Sequence, residues 1–128
     1  MCLTVDKEFK TRKEAREFKN KPLIAKKDIR VYKVLNTNCN TSMVRGMKYY
    51  KGFHHTELKP FNSKIYKVYW PDYWYIDINS GLHSYTNIKR ANLMKCSGEK
   101  VVVMYIPKGS LFFKGDNEDY VSDQLVWY

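Results

Sequence analysis

Apolar and polar positions alternate with a period of two over most of this chain and follow a helical period only twice. Residues 28–35 (DIRVYKVL) read as a strand. Ile29, Val31 and Leu35 share one face, with Lys33 breaking the run, while Arg30, Tyr32 and Val34 share the other. Residues 36–42 (NTNCNTS) are polar and turn-forming, which predicts a loop. Residues 47–51 are strand-like, with Gly52 supplying a turn, and residues 64–70 (KIYKVYW) form another strand that Pro71-Asp72 ends. Residues 73–78 follow as a strand up to the Asn79-Ser80-Gly81 turn. A Pro-Asp turn between two β-like runs predicts that these two strands pair. Residues 100–106 (KVVVMYI) are the most apolar run and are expected as a central strand. Pro107-Lys108-Gly109 then turns the chain into a short strand over 111–113. Gly115-Asp116-Asn117 turns it again before a final strand over 120–127.

The helical period appears first over residues 11–19 (TRKEAREFK). Thr11 is a cap with Glu14 three residues on, Ala15 and Phe18 share a face, and Asn20 and Pro22 mark the exit. A second helix is expected after residues 81–84, capped by Thr86, with Ile88, Ala91 and Leu93 on its buried side and its end near Cys96-Ser97-Gly98. This order predicts an α+β fold, a mostly antiparallel sheet of about six strands with two short helices. No repeat, linker or boundary interrupts it, so residues 1–128 are expected as a single domain, with 1–22 a helical segment and 23–128 the sheet core.

Composition adds that the chain is aromatic and basic. Aromatics make up 16% of the residues and include 11 tyrosines, which argues against disorder and allows a core, a stacking surface, or both. The net charge is +10, unevenly placed: residues 1–70 hold 17 Lys/Arg against 6 Asp/Glu, and residues 71–128 hold 6 against 7. One basic face would attract nucleic acid, a phosphorylated ligand or an acidic protein, whereas a merely solvated face is the bland alternative. No stretch approaches the ~20 apolar residues of a membrane span, and Met1-Cys2-Leu3-Thr4 leads straight into charges. Three cysteines without close pairs fit neither a disulfide framework nor zinc spacing. A cytoplasmic location is expected.

The residues that carry chemistry cluster at 45–55. There Arg45, Lys48 and Lys51 interleave with Tyr49, Tyr50, Phe53, His54 and His55. Cations neutralise phosphate and aromatic faces stack on bases, so this run suits a nucleotide or a single strand. A hairpin edge with inward tyrosines and guarding lysines explains it equally. Adjacent His54 and His55 point to opposite faces of a strand, and no ligand spacing surrounds them, so no metal is expected. Cys39 and Cys96 lack a local nucleophile signature, the six glycines form no phosphate loop, and no cofactor is expected. The candidate ligand-binding set is Arg30, Arg45, Lys48, Tyr50, Lys51, His54, His55 and His83.

Met1-Cys2-Leu3, residues 24–35 (IAKKDIRVYKVL), Gly81-Leu82-His83-Ser84-Tyr85 with Ala91, residues 106–110 (IPKGS) and residues 118–123 (EDYVSD) form a set of segments spread over the chain. Together they resemble a group of short uncharacterised proteins of bacteriophages and gut bacteria. That resemblance implies no single activity; in a phage it would suit counter-defence by sequestering a nucleotide signal, and the location would be the host cytoplasm. The glycine-His-Ser-aromatic segment before a helix also looks like a segment of ADP-ribosyltransferase-type folds, which would make Arg30 an NAD contact and Glu118 the late Glu. A clear Ser-Thr-Ser element is missing from that pattern. The expectation is therefore a non-enzymatic binder of a phosphate-bearing ligand, a nucleotide-derived small molecule or nucleic acid. The alternatives are an ADP-ribosyltransferase-like enzyme and an interaction module for an acidic protein.

Overall fold

A computed structural model describes residues 3–42, 48–55 and 63–128, with 53–55 described by backbone alone. In chain order the elements are β1 (Leu3–Phe9), α1 (Arg12–Lys19), β2 (Leu23–Ile24), β3 (Ile29–Asn36), β4 (Gly52–His55), β5 (Ser63–Val68), β6 (Tyr73–Ile78), β7 (Leu82–Tyr85), α2 (Ile88–Met94), β8 (Glu99–Ile106), β9 (Leu111–Lys114), β10 (Asp119–Ser122) and β11 (Gln124–Trp127). They build a small sheet, β1-β6-β5, and a large one, β2-β9-β10-β7-β3-β8-β11-β4, both antiparallel. The α+β expectation holds, with more strands than the alternation alone suggests.

The large sheet is rolled. One residue, Asp123, separates β10 from β11, yet β7, β3 and β8 lie between those strands in the sheet. Four strand spacings in a flat sheet span roughly 19 Å. Two peptide steps cover at most ~7 Å, so the sheet must curl to bring its distant strands together. Asp123 is tied down at the crossing: its N–H donates to the Leu111 carbonyl at 3.0 Å, and its carboxylate accepts the Leu111 N–H at 2.9 Å.

Rolling gives the sheet an inside and an outside. Alternation sends Val31, Leu35, Leu82, Met104, Ile106 and Leu125 inward, where they form a core with Ala25 and Tyr49. A second core lies outside. Leu3, Val5, Ile76 and Ile78 of the small sheet, with Ala15 of α1, pack there on Phe113 and Val121 of β9 and β10. The neighbours Phe112 and Tyr120 point the other way, against the first core. β9 and β10 are thus a wall between two cores, which is why residues 111–113 are apolar without alternation.

α1 forms as expected. Thr11 caps it by accepting the Glu14 N–H at 3.1 Å, while the Glu14 carboxylate takes the Lys10 N–H at 3.3 Å. Five expectations are corrected. The segment 1–22 is not simply helical, because β1 pairs with β6. The strand near residue 50 begins at Gly52 rather than ending there. Residues 82–85 are a strand, and α2 is capped by Asn87, whose side chain accepts the Arg90 N–H at 2.8 Å; Ile88 and Leu93 are exposed, so Ala91 alone is buried. The single strand expected over 120–127 is two, broken at Asp123.

Lys33 breaks the alternation of β3 and is nonetheless buried on its inner face, between Val31 and Leu35. Its ammonium donates to the His83 carbonyl and lies 5.0 Å from the centroid of the buried Tyr49 ring. Burial lowers its pKa to about 8 and pushes the Tyr49 phenol above its usual range. Below pH 8 both folded and unfolded chains carry the charge, so the full desolvation cost is present. Between about 8 and 10.5 only the unfolded chain holds the proton, and stability rises with pH. The expected rise in unfolding free energy is about 2 kcal/mol between pH 7 and about pH 9.5. Lys33→Met should be more stable at pH 7 and should lose most of that rise. Urea titrations of both proteins at the two pH values measure it, and a parallel pH response in the variant would refute the assignment.

Candidate functional site: a lysine-rimmed cleft

The sequence-predicted binding residues are spread along the large sheet. Arg30 is exposed on β3, its guanidinium 5.8 Å from the Tyr32 ring centroid. Arg30 pairs with Tyr105, Tyr105 with Val126 and Val126 with Phe53, so three strand steps separate it from β4. Lys48, Tyr50 and Lys51 are exposed on the approach to β4, whereas Tyr49 turns into the core. His54 and His55 sit opposite Leu125 and Gln124 on β4, at one end of the sheet. His83 lies on β7, opposite Val121 and on the other side of β3. Arg45 is outside the described residues.

A concavity of about 360 Å³ forms elsewhere, between β1, α1, the start of β2 and the end of β9. Lys7, Lys21 and Lys114 line it with Phe18, Leu23, Phe113, Gly115 and Asp116. Each lysine arrives by a different route. Alternation along β1 places Lys7 on the face of Leu3 and Val5, and its ammonium lies 4.7 Å from the Phe18 ring centroid. Lys21 follows the α1 C-cap, where its N–H donates to the Phe18 carbonyl at 3.1 Å. Lys114 ends β9, one residue beyond the buried Phe113.

The floor is aromatic and stiff. Phe18 lies 5.4 Å from Phe9 and 5.8 Å from Phe113, centroid to centroid, in tilted pairs that fix its position. Asp116 is tied to β1: its N–H donates to the Thr4 carbonyl at 2.9 Å, and its Oδ2 accepts the Asp6 N–H at 2.6 Å. Gly115 is close-packed, since a Cβ there would stand 2.3 Å from Asp119 Oδ1 and 2.6 Å from Leu3 Cγ. Three lysines and one hydrogen-bonded carboxylate thus line a ring-floored hollow, with the Lys7 ammonium over the Phe18 ring. Side chains of these types can meet an anionic head group and an apolar body together. Nothing in the spacing of residues 7, 21 and 114 announces it, because strand pairing and the helix turn bring them together. Phe18 on the apolar face of α1 is the one part legible beforehand.

No helix of the structure is long and apolar enough to cross a membrane, and among the described residues no cluster of His, Cys, Asp or Glu could hold a metal ion. Comparison with protein-family models, with curated proteins and with solved structures finds no match to this chain.

Away from the cleft, the loop after β3 exposes Cys39, whose sulfur lies 3.1 Å from the Thr41 hydroxyl. That hydrogen bond, helped by the Lys48 charge, holds the thiol below its usual pKa. Cys39 should therefore alkylate faster than the exposed Cys96 at neutral pH, and Thr41→Val should slow it severalfold. Site-resolved mass spectrometry of iodoacetamide labelling checks this; equal rates at both thiols, unchanged in the variant, would count against it.

Proposed function

We propose that this protein is a non-enzymatic binder of a small, phosphate-bearing, nucleotide-derived ligand, and that the cleft of Lys7, Lys21 and Lys114 is where it binds. The single observation that carries this reading is that three lysines line a hollow floored by Phe18 and Phe113, the Lys7 ammonium lying 4.7 Å from the Phe18 ring centroid. Ammonium groups neutralise phosphate oxygens, and the rings offer a flat apolar surface to a base. The volume of about 360 Å³ suits a small molecule better than a polymer strand. Binding without turnover makes sequestration of a nucleotide signal the matching role.

Calorimetric titration at low salt with nucleoside mono- and diphosphates, ADP-ribose and cyclic dinucleotides tests the reading. One of these should bind, and Lys7→Ala or Lys114→Ala should weaken it about tenfold, as the loss of one charged contact does. The Lys48→Glu, Lys51→Glu double variant should bind as the parent does. If that variant alone loses binding, the site belongs to the basic run before β4. A steep loss of affinity with salt toward oligonucleotides would instead mark a nucleic-acid binder.

An ADP-ribosyltransferase-like reading is favoured by a different observation, the adjacency of β3, β7 and β10. Tyr32 pairs with Tyr85 and Tyr85 with Asp119, so the strand of Arg30, the strand after Gly81 and the turn holding Glu118 are neighbours. β3 and β10 both run antiparallel to β7. Arg30 and Glu118 therefore precede that row at the same end of the sheet, two strand spacings or roughly 10 Å apart. The Glu118 carbonyl accepts the Thr86 N–H at 2.9 Å, which fixes the turn beside β7. This reading expects the protein to consume NAD and Glu118→Gln to abolish consumption. Chromatography of NAD incubated with each protein decides, and an unconsumed NAD pool with the parent eliminates it.

A further inference from the structure

The small sheet has two faces, and among the described residues only one packs against a core. Ile65, Trp74, Ile76 and Ile78 point toward α1 and the second core. The opposite face carries Tyr66 and Tyr75, paired across β5 and β6 and stacked with centroids 5.3 Å apart and planes 20° from parallel. Tyr73 stands beside them on β6. At the β5–β6 turn Tyr69 is 75% and Trp70 92% exposed, with the Lys67 ammonium 5.6 Å from the Tyr69 ring centroid. Among the described residues these rings belong to neither core, although Tyr73 and Tyr75 are half-buried.

The charges on this face run against those of the protein as a whole. The Tyr73 hydroxyl donates to Asp6 at 3.2 Å, and Thr4 donates to Asp77 at 2.8 Å. Burial, Asp6 and Glu8 raise the Tyr73 phenol, and burial and Asp77 raise that of Tyr75. Lys64 stands opposite Asp77 on this face, whereas Lys67 lies on the other face opposite Trp74 and pairs with Asp72 at 3.0 Å. Among the described residues the carboxylates of Asp6, Glu8 and Asp77 outnumber Lys64 here, so a polyanion meets no net positive field, despite the net charge of +10.

We propose that this face docks a proline-rich segment of a partner protein, with basic residues flanking the prolines. Three properties of the surface meet three of such a segment. Flat, exposed rings pack against pyrrolidine rings, and the polyproline II helix is extended and preformed, so little order is lost on docking. The surface is a sheet face rather than an edge, so it asks for no backbone N–H from its partner, and proline has none to give. The carboxylates of Asp6, Glu8 and Asp77 attract a flanking Arg or Lys. This site lies on the far side of the small sheet from the second core and does not depend on the lysine-rimmed cleft.

The test is fluorescence anisotropy of a labelled decaproline peptide flanked by arginines, titrated with the parent protein and with Tyr75→Ala and Trp70→Ala. Both side chains lie outside the cores, and unchanged melting temperatures confirm that both variants are folded. Saturable binding by the parent, weakened at least about tenfold in each variant, is the expected result. The same peptide with glutamate flanks should bind more weakly, by a margin that shrinks with salt. Lack of saturation with the arginine-flanked peptide, or binding indifferent to both substitutions, would overturn the proposal. So would tighter binding of a labelled oligothymidine that Tyr75→Ala abolishes, which would make the face a base-stacking surface.

Discussion

The single-residue passage from β10 to β11 at Asp123 is the constraint on which the architecture depends. It joins strands that hydrogen bonding holds three strands apart, and only a rolled sheet satisfies both conditions. Once the sheet rolls, the inward positions of β3, β7, β8 and β11 face one another and a core follows from their alternation. The two bonds between Asp123 and Leu111 fix where the roll closes. They also hold β9, whose outer face receives the small sheet and whose end supplies Lys114 to the cleft.

The two cores set the distribution of polar groups. β9 and β10 are covered on both sides, so their apolar residues are spent on packing and leave polar groups at the margins. The inner core is not fully apolar, because Lys33 lies in it against Tyr49 and the His83 carbonyl. A buried ammonium opposes folding at neutral pH, and the surrounding apolar contacts must exceed that cost.

Basic charge and aromatic surface, which run together in the sequence, separate in space. Three lysines gather at the cleft between α1 and β9. Tyr66, Tyr69 and Trp70 are exposed on the small sheet and its β5–β6 turn, beside carboxylates and lysines. The two ligands proposed for these surfaces differ accordingly, an anionic small molecule for one and a proline-rich basic segment for the other. The basic run before β4 remains exposed at Lys48, Tyr50 and Lys51, but Tyr49 within it serves the core.

What the sequence by itself determined is local. The cap and span of α1, the β5–β6 hairpin, the strand over 29–36 and the α+β class all follow from short-range alternation, capping and turn chemistry, and the folded chain has each of them. Even Lys33 was visible as a break in an apolar face, though not its burial. The tertiary structure alone decided what depends on distant pairing. β1 has too mixed a pattern to read as a strand, and it becomes one because β6 offers a partner some seventy residues later, as in the pairing of Leu3 with Ile78. The polar Ser122-Asp123-Gln124 interrupts residues 120–127, but it is the competing partners β7 and β8 that pull the two halves apart. The cleft follows the same rule. Lysines at 7, 21 and 114 share no spacing, and the hydrogen bonds that bring them together are made between strands far apart in the chain.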